Sequence, residues 1–272
     1  AAAGSRDNTP VVLTGSADGT VTYGNDSVTV DASHTEEGYL MVSYSGSNSK
    51  VKLQITGSDE ITYTYNLHDG YETFPLTSGS GSYTVGVFEN IEGTSYSTLF
   101  TQAIDVTIQD EFGPYLYANQ YVNFSADSKV ISKAMELSAS ANDDLEVIEN
   151  VYNYIITNFT YDYDKAASVQ SGYLPNVDEV LASQTGICFD YAAVMASMLR
   201  CERIPTRLEV GYMGDVYHAW ISTYIKDKGW VNGIIEFDGN DWKLMDPTFA
   251  STSSDPKDFL TQTDEYITKY VY

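Results

Sequence analysis

A chain of 272 residues, 43% of them apolar, can bury one large core or two medium ones. Against 14 Lys and Arg stand 38 Asp and Glu, a formal net charge of -24, which repels nucleic acid and anionic lipid and opposes both as partners. No apolar run approaches the ~18 residues of a membrane-spanning helix, so no membrane span is expected.

The first ten residues, Ala1 to Pro10, contain no hydrophobic signal core and read as a disordered leader, left either by signal-peptide removal or by trimming of the chain. From there to about residue 108 the pattern alternates as in strands. Tyr39–Tyr44, Val51–Ile55, Ile61–Tyr65, Tyr83–Phe88 and Ile104–Ile108 are five or six residues each, separated by Gly/Ser/Asn turns such as Ser45-Gly46-Ser47-Asn48. Short strands at this spacing predict an all-β, immunoglobulin-like sandwich over residues 1–110, without the Cys…Trp…Cys hallmark of true immunoglobulin domains. His34 and His68 fall near its turns without evident partners and read as ordinary surface histidines. The Ser, Thr, Gly and Tyr content of this half resembles extracellular β-modules.

After Glu111-Phe112-Gly113-Pro114 the period changes, and residues 111–272 read as a second, α+β domain. A short helix is expected around Lys129–Ser138. Asn142-Asp143-Asp144 can cap a longer one whose Leu145, Ile148, Val151, Tyr152, Ile155, Ile156 and Phe159 form an apolar stripe. Asp178–Leu181 reads as a further short helix. The next begins near Cys188 and is stopped by Pro205. Strands follow at Arg207–Tyr212, Tyr217–Ile225, Gly233–Phe237 and Asp241–Asp246, with Asp238-Gly239-Asn240 as a hairpin turn.

The two cysteines, Cys188 and Cys201, lie thirteen residues apart on that helix. At ~1.5 Å per residue about 20 Å separates them, far beyond the ~7 Å reach of a disulfide. Both are expected as free thiols. Cys188 opens the helix, where the dipole and free N–H groups favour a thiolate. Gly186 before it offers an unusual backbone angle and close approach of a substrate. Cys201 closes the helix and reads as an apolar filler. A thiol enzyme also needs a base and a group that orients the base. His218 is the one histidine after residue 68, and a period of two puts it on one strand face with Trp220 and Ser222. Asp246, fixed by Pro247, can hold the second imidazole nitrogen.

Gly186-Ile187-Cys188 with the alanine-rich helix, Arg203-Ile204-Pro205-Thr206-Arg207, Gly211-Tyr212, His218-Ala219-Trp220, Trp242 and Asp246-Pro247-Thr248 together resemble the transglutaminase-like superfamily. The resemblance covers about residues 142–250. It implies a papain-like core with Cys188 as nucleophile, His218 as acid and base, and Asp246 as orienting group. It departs from the family at Cys201-Glu202-Arg203, where many relatives carry a small residue and glycine, which bears on how the helix ends. The Cys188 N–H is one expected oxyanion donor. For a second, Gln184 is a candidate by papain-like analogy. Tyr161 and Tyr163 are others, because relatives often place an aromatic hydrogen-bonder before the cysteine segment.

The expectation is a secreted, bacterial enzyme, extracellular or at the cell surface. It would transfer acyl groups through a thioester on peptides or carboxamides, including cell-wall peptides, with hydrolysis favoured over cross-linking. The rival is an inactive transglutaminase-like surface binding or adhesion protein. No cofactor is expected. One histidine and two distant cysteines cannot build a zinc site, and no Asp-x-Asp-x-Asp-Gly calcium loop occurs. The substrate and the oligomeric state stay open.

Overall fold

The computed structural model describes residues 2–232, 234–237, 242–245 and 266–272. They form two compact units, Thr14–Gln120 and Ala1–Leu13 with Tyr121–Tyr272.

The first unit is all β. Strands β1 (Thr22–Gly24), β2 (Val28–Asp31), β3 (Tyr39–Tyr44) and β6 (Glu72–Pro75) make one antiparallel sheet in the order β1-β2-β3-β6. Strands β4 (Val51–Thr56), β5 (Thr62–Asn66), β7 (Gly81–Glu92) and β8 (Ser95–Val106) make the other, in the order β5-β4-β7-β8. Period-two burial sends Val51, Leu53 and Ile55 of β4 inward. Tyr65 of β5 meets Phe74 of β6 edge to face at 4.8 Å, so apolar faces of the two sheets meet. The hairpin β7–β8 continues past the core to Ile91 near its tip, which is exposed. The two histidines have carboxylate partners after all: His34 pairs with Asp18, and His68 Nδ1 lies 3.0 Å from Glu72. Turns bring these acids close in space, which strand periodicity does not reveal.

The second unit mixes helices and strands: α1 (Lys129–Ser138), α2 (Asp144–Asn158), β9 (Thr160–Tyr161), α3 (Tyr163–Ser168), α4 (Val177–Ser183), β10 (Thr185–Gly186) and α5 (Cys188–Cys201) precede β11 (Thr206–Met213), β12 (Val216–Ile225) and β13 (Gly229–Asn232). β14 (Ile234–Phe237) pairs antiparallel with β15 (Trp242–Met245). The expected Asp238-Gly239-Asn240 turn lies outside the described residues. β16 (Tyr266–Val271) returns to complete an antiparallel sheet in the order β13-β12-β11-β16. Asp143 caps α2 as expected, its Oδ1 accepting from the Glu146 N–H at 2.9 Å.

Helix α5 is the core of this unit. Every residue from Asp190 to Cys201 is buried, as befits a helix packed on β11 and β12 on one side and on α1, α2 and α4 on the others. Its far end is clamped by the fully buried Arg200, which donates to the carbonyls of Thr206 at 3.0 Å and Tyr272 at 2.8 Å. The departure at Cys201-Glu202-Arg203 now has a physical meaning. Arg203 adopts the left-handed φ of 65° that glycine reaches without strain, and its N–H closes the helix on the Arg200 carbonyl.

The N-terminal residues are not a loose leader. Gly4 N–H donates to the Ala139 carbonyl at 3.0 Å and Val11 N–H to the Cys201 carbonyl at 2.8 Å. Arg6 binds Asp144 at 2.7 Å and the Glu202 carboxylate at 3.2 Å, and it also donates to the Glu202 carbonyl. Composition suggested disorder because the stretch has no hydrophobic core, yet the Arg6 guanidinium pairs with a carboxyl that has no exposed surface. Burial pushes that Glu202 carboxyl up. Arg6→Ala therefore leaves the buried carboxyl without its ion pair, with only the field of Arg203 to offset it, and is expected to cost about 3 kcal/mol in urea unfolding. A loss below about 1 kcal/mol, the worth of an exposed pair, would contradict this role.

Candidate active site

Cys188 is the first residue of α5 and is half-buried. The N-cap is Ile187, whose side chain cannot accept a hydrogen bond. Instead the Asp190 carboxylate, three residues on, folds back and accepts from the Ile187 N–H at 2.9 Å. Asp190 is fully buried, and it also receives Lys165 Nζ at 2.7 Å and the Tyr173 hydroxyl.

This arrangement corrects the expectation for Gly186. Its backbone is not left-handed. A Cβ there would stand 2.7 Å from Asp190 Cβ and 2.9 Å from Oδ2, so glycine makes room for the carboxylate rather than for a sharp turn.

The same glycine lies in a two-residue parallel ladder in which Thr185 pairs with Thr160 and Gly186 with Tyr161. The ladder fixes Tyr161 beside the start of α5. Its half-buried phenol is pushed up to about 12, first by burial and then by the field of Cys188. It therefore stays protonated and able to donate. Tyr163 is the first residue of α3; it is exposed and touches Tyr161 edge to face at 5.0 Å. Gln184 ends α4 with a left-handed φ of 53°, and its side-chain amide donates to the Tyr154 hydroxyl at 3.3 Å. Among the three oxyanion candidates, the Tyr161 phenol is acted on by Cys188.

His218 lies on β12, opposite Gly211 of β11, and is 3% exposed. Gly211 is required by close approach, since a Cβ would collide with the Ile267 carbonyl of β16 at 2.0 Å. The His218 ring stacks on Trp220 at 5.9 Å. As period two predicts, His218, Trp220 and Ser222 share one face of β12, and both faces of the strand are buried. Tyr217, next in chain to His218, also feels Cys188; burial first, then neighbouring tyrosines and that sulfur, push its phenol up. Asp246 lies outside the described residues. Cys201 is inert by contrast: burial pushes its thiol up to about 12, and its Sγ–H donates to the Met198 carbonyl at 3.1 Å. Both cysteines are free. No cluster of three metal-ligating side chains occurs among the described residues, and none of their helices is long and apolar enough to cross a membrane.

Sequence reasoning missed the buried acids Asp190 of α5 and Glu209 of β11. Glu209 sits on β11 opposite Trp220 and accepts from the Ser222 hydroxyl and from Thr268 Oγ1 at 3.1 Å. A charged residue inside a motif block is an available signal for Asp190. Glu209 gives none, because its strand reads as ordinary alternation.

A half-exposed thiol thus opens a helix that is buried from Asp190 onward, and a histidine lies on the sheet against which that helix packs. Residues 131–233, which include Cys188 and His218, match the family model of the transglutaminase-like superfamily, and the chain thus contains a transglutaminase-like segment. A UPF0252 protein of Methanocaldococcus jannaschii is 28% identical over 89 residues, 31% of this chain and 24% of that protein, so the match spans about a quarter of its length. Among solved structures, a candidate cysteine protease from Cytophaga hutchinsonii is 16% identical with a TM-score of 0.43, covering 93% of this chain and 74% of that one. The periplasmic domain of TgpA from Pseudomonas aeruginosa is 16% identical with a TM-score of 0.37, covering 84% and 97%. Red sea bream transglutaminase is 15% identical with a TM-score of 0.34, covering 82% and 49%.

Burial pushes the Glu209 carboxyl above its ordinary value of 4.5. The folded state then holds that proton more tightly than the unfolded chain. The acid costs nothing below pH 4.5, and its cost grows as pH rises toward the folded value. Glu209→Gln can donate its amide to Ser222, whose hydroxyl then turns to Asn232 Oδ1, 2.7 Å away. The variant should have a higher Tm than the wild type at pH 7, by a few degrees, with the difference vanishing near pH 4. An equal shift at both pH values would contradict the assignment.

Proposed function

We propose that this protein is a cysteine-dependent acyl-transfer enzyme acting on peptides or carboxamides, with Cys188, His218 and Asp246 as its triad. The reading rests chiefly on one observation: Cys188 is the half-exposed first residue of a helix that is buried from Asp190 onward, and its sulfur acts on the neighbouring Tyr161 phenol. The matched segment that holds both Cys188 and His218 supports it.

The Cys188 thiolate attacks the carbonyl carbon, forming a C–S bond while the carbonyl oxygen becomes an oxyanion. The Cys188 N–H and the Tyr161 hydroxyl donate to that oxygen. His218, orientated by Asp246, passes the thiol proton to the leaving amine as the C–N bond breaks. The thioester is then attacked by water, with His218 taking its proton, and the acid and free thiol are released. Water is the favoured acceptor; an amine in its place would give a cross-link.

The all-β unit is read as an immunoglobulin-like sandwich. Taking β2, β3 and β6 as A, B and E, and β5, β4, β7 and β8 as C′, C, F and G, reproduces the two-sheet order of that fold. With the net charge of -24 it suits a site outside the cell, where cell-wall peptides are available substrates.

Mass spectrometry of a mixed peptide pool incubated with the protein tests the reading. New termini or deamidated side chains are expected, falling at least about a thousandfold with Cys188→Ala. Identical products from both proteins would contradict thiol chemistry. No product from either would contradict it in favour of an inactive binding protein.

A further inference from the structure

We propose that Lys165 is a positioning residue for the Cys188 thiolate: its ammonium cancels the charge of Asp190, letting one helix start carry a buried carboxylate and a reactive sulfur together. The inference rests on the thiol-enzyme reading above and names the group that controls its nucleophile.

Asp190 is on the same first turn of α5 as Cys188 and has no exposed side-chain surface. Its carboxylate strengthens the helix start by accepting the Ile187 N–H at 2.9 Å. For a thiolate two residues away it is also a like charge in a low-dielectric setting, and like charges disfavour ionisation. Lys165 removes the conflict. Its Nζ is 2.7 Å from Asp190 Oδ2, and it also lies 4.5 Å from the Tyr173 ring centroid, whose hydroxyl donates to the other carboxylate oxygen. The lysine is placed for this by the Asp162 cap of α3, whose Oδ1 accepts from the Lys165 N–H at 2.9 Å. Asp162 N–H is in turn held by the Gly186 carbonyl at 2.9 Å. The chain that carries the cation is thus tied to the chain that carries the thiol.

Burial alone would lower the Lys165 ammonium, but the hydrogen bond to Asp190 and the contact with Tyr173 outweigh it and raise it. Its positive charge therefore persists across the range in which thiols titrate. The other titratable groups about the helix start are Tyr161 on β9, Tyr163 on α3, Tyr173 after it, Tyr191 on α5 itself, and Tyr217 on β12, the strand that also carries His218. None of these is a fixed cation, so Lys165 alone offsets Asp190 among them. Asp178 of α4 is engaged elsewhere, accepting from the Val130 N–H at 3.2 Å.

The test is the pH profile of iodoacetamide alkylation of Cys188, read by peptide mass mapping on the full chain. Lys165→Met should move the midpoint up by about one pH unit or more. The double variant Lys165→Met with Asp190→Asn removes both charges and should return the midpoint to the wild-type value. It also serves if the single variant fails to fold, since no uncompensated carboxylate is then buried. An unmoved midpoint in Lys165→Met, or a double variant shifted upward from the wild type, would overturn the proposal. The profile needs no substrate. A midpoint that responds to Lys165 in a protein that releases no product would sink the proposed enzyme function and leave this inference standing.

Discussion

The Asp190 carboxylate is the tie on which the site depends. It joins three pieces of chain that are otherwise separate: the Ile187 N–H at the start of α5, Lys165 on α3 and Tyr173 on the loop beyond it. A buried acid is tolerated only when its oxygens are satisfied and its charge is met. Here each partner meets that need and is fixed in return. Gly186 exists to admit this carboxylate, and the same glycine pairs with Tyr161. One side chain therefore sets the thiol, the phenol and the loop together.

The sheet provides the second half by a different route. β12 is buried on both faces, so His218, Trp220 and Ser222 are held on one face while Ala219 and Ile221 fill the other. Polar groups on that first face satisfy one another: Ser222 bonds Glu209 and lies 2.7 Å from Asn232. Register is strict in such a strand, because a one-residue slip would carry His218 to the apolar face. Close packing of β16 on Gly211 adds a further constraint beside the histidine.

Much of this was legible in the sequence where the signal is local. Asp143 as a cap, the stripe from Leu145 to Phe159, and Cys188 and Cys201 as the two ends of one helix all follow from capping and period. The strands around Val51–Ile55 and Tyr217–Ile225 follow from alternation. What escaped was short or long-range. β1, β2, β6, β9 and β10 have two to four residues each, too few to show a period. The tip of the β7–β8 hairpin lost its alternation where it leaves the core. Lys165 and Asp190 are 25 residues apart, and only the fold makes them a pair. Arg6 and Glu202, separated by most of the chain, hid for the same reason. Asp246 was assigned from its motif alone and lies outside the described residues.

The proposed function separates the two cysteines in kind: Cys188, half-exposed at the helix start, as the nucleophile, and Cys201, buried with its thiol pushed up to about 12, as packing. Site-resolved iodoacetamide labelling of the native wild-type protein near pH 6 tests it most directly. The account predicts rapid modification of Cys188 while Cys201 stays unlabelled until the protein is denatured. Equal, slow labelling of both thiols would contradict it.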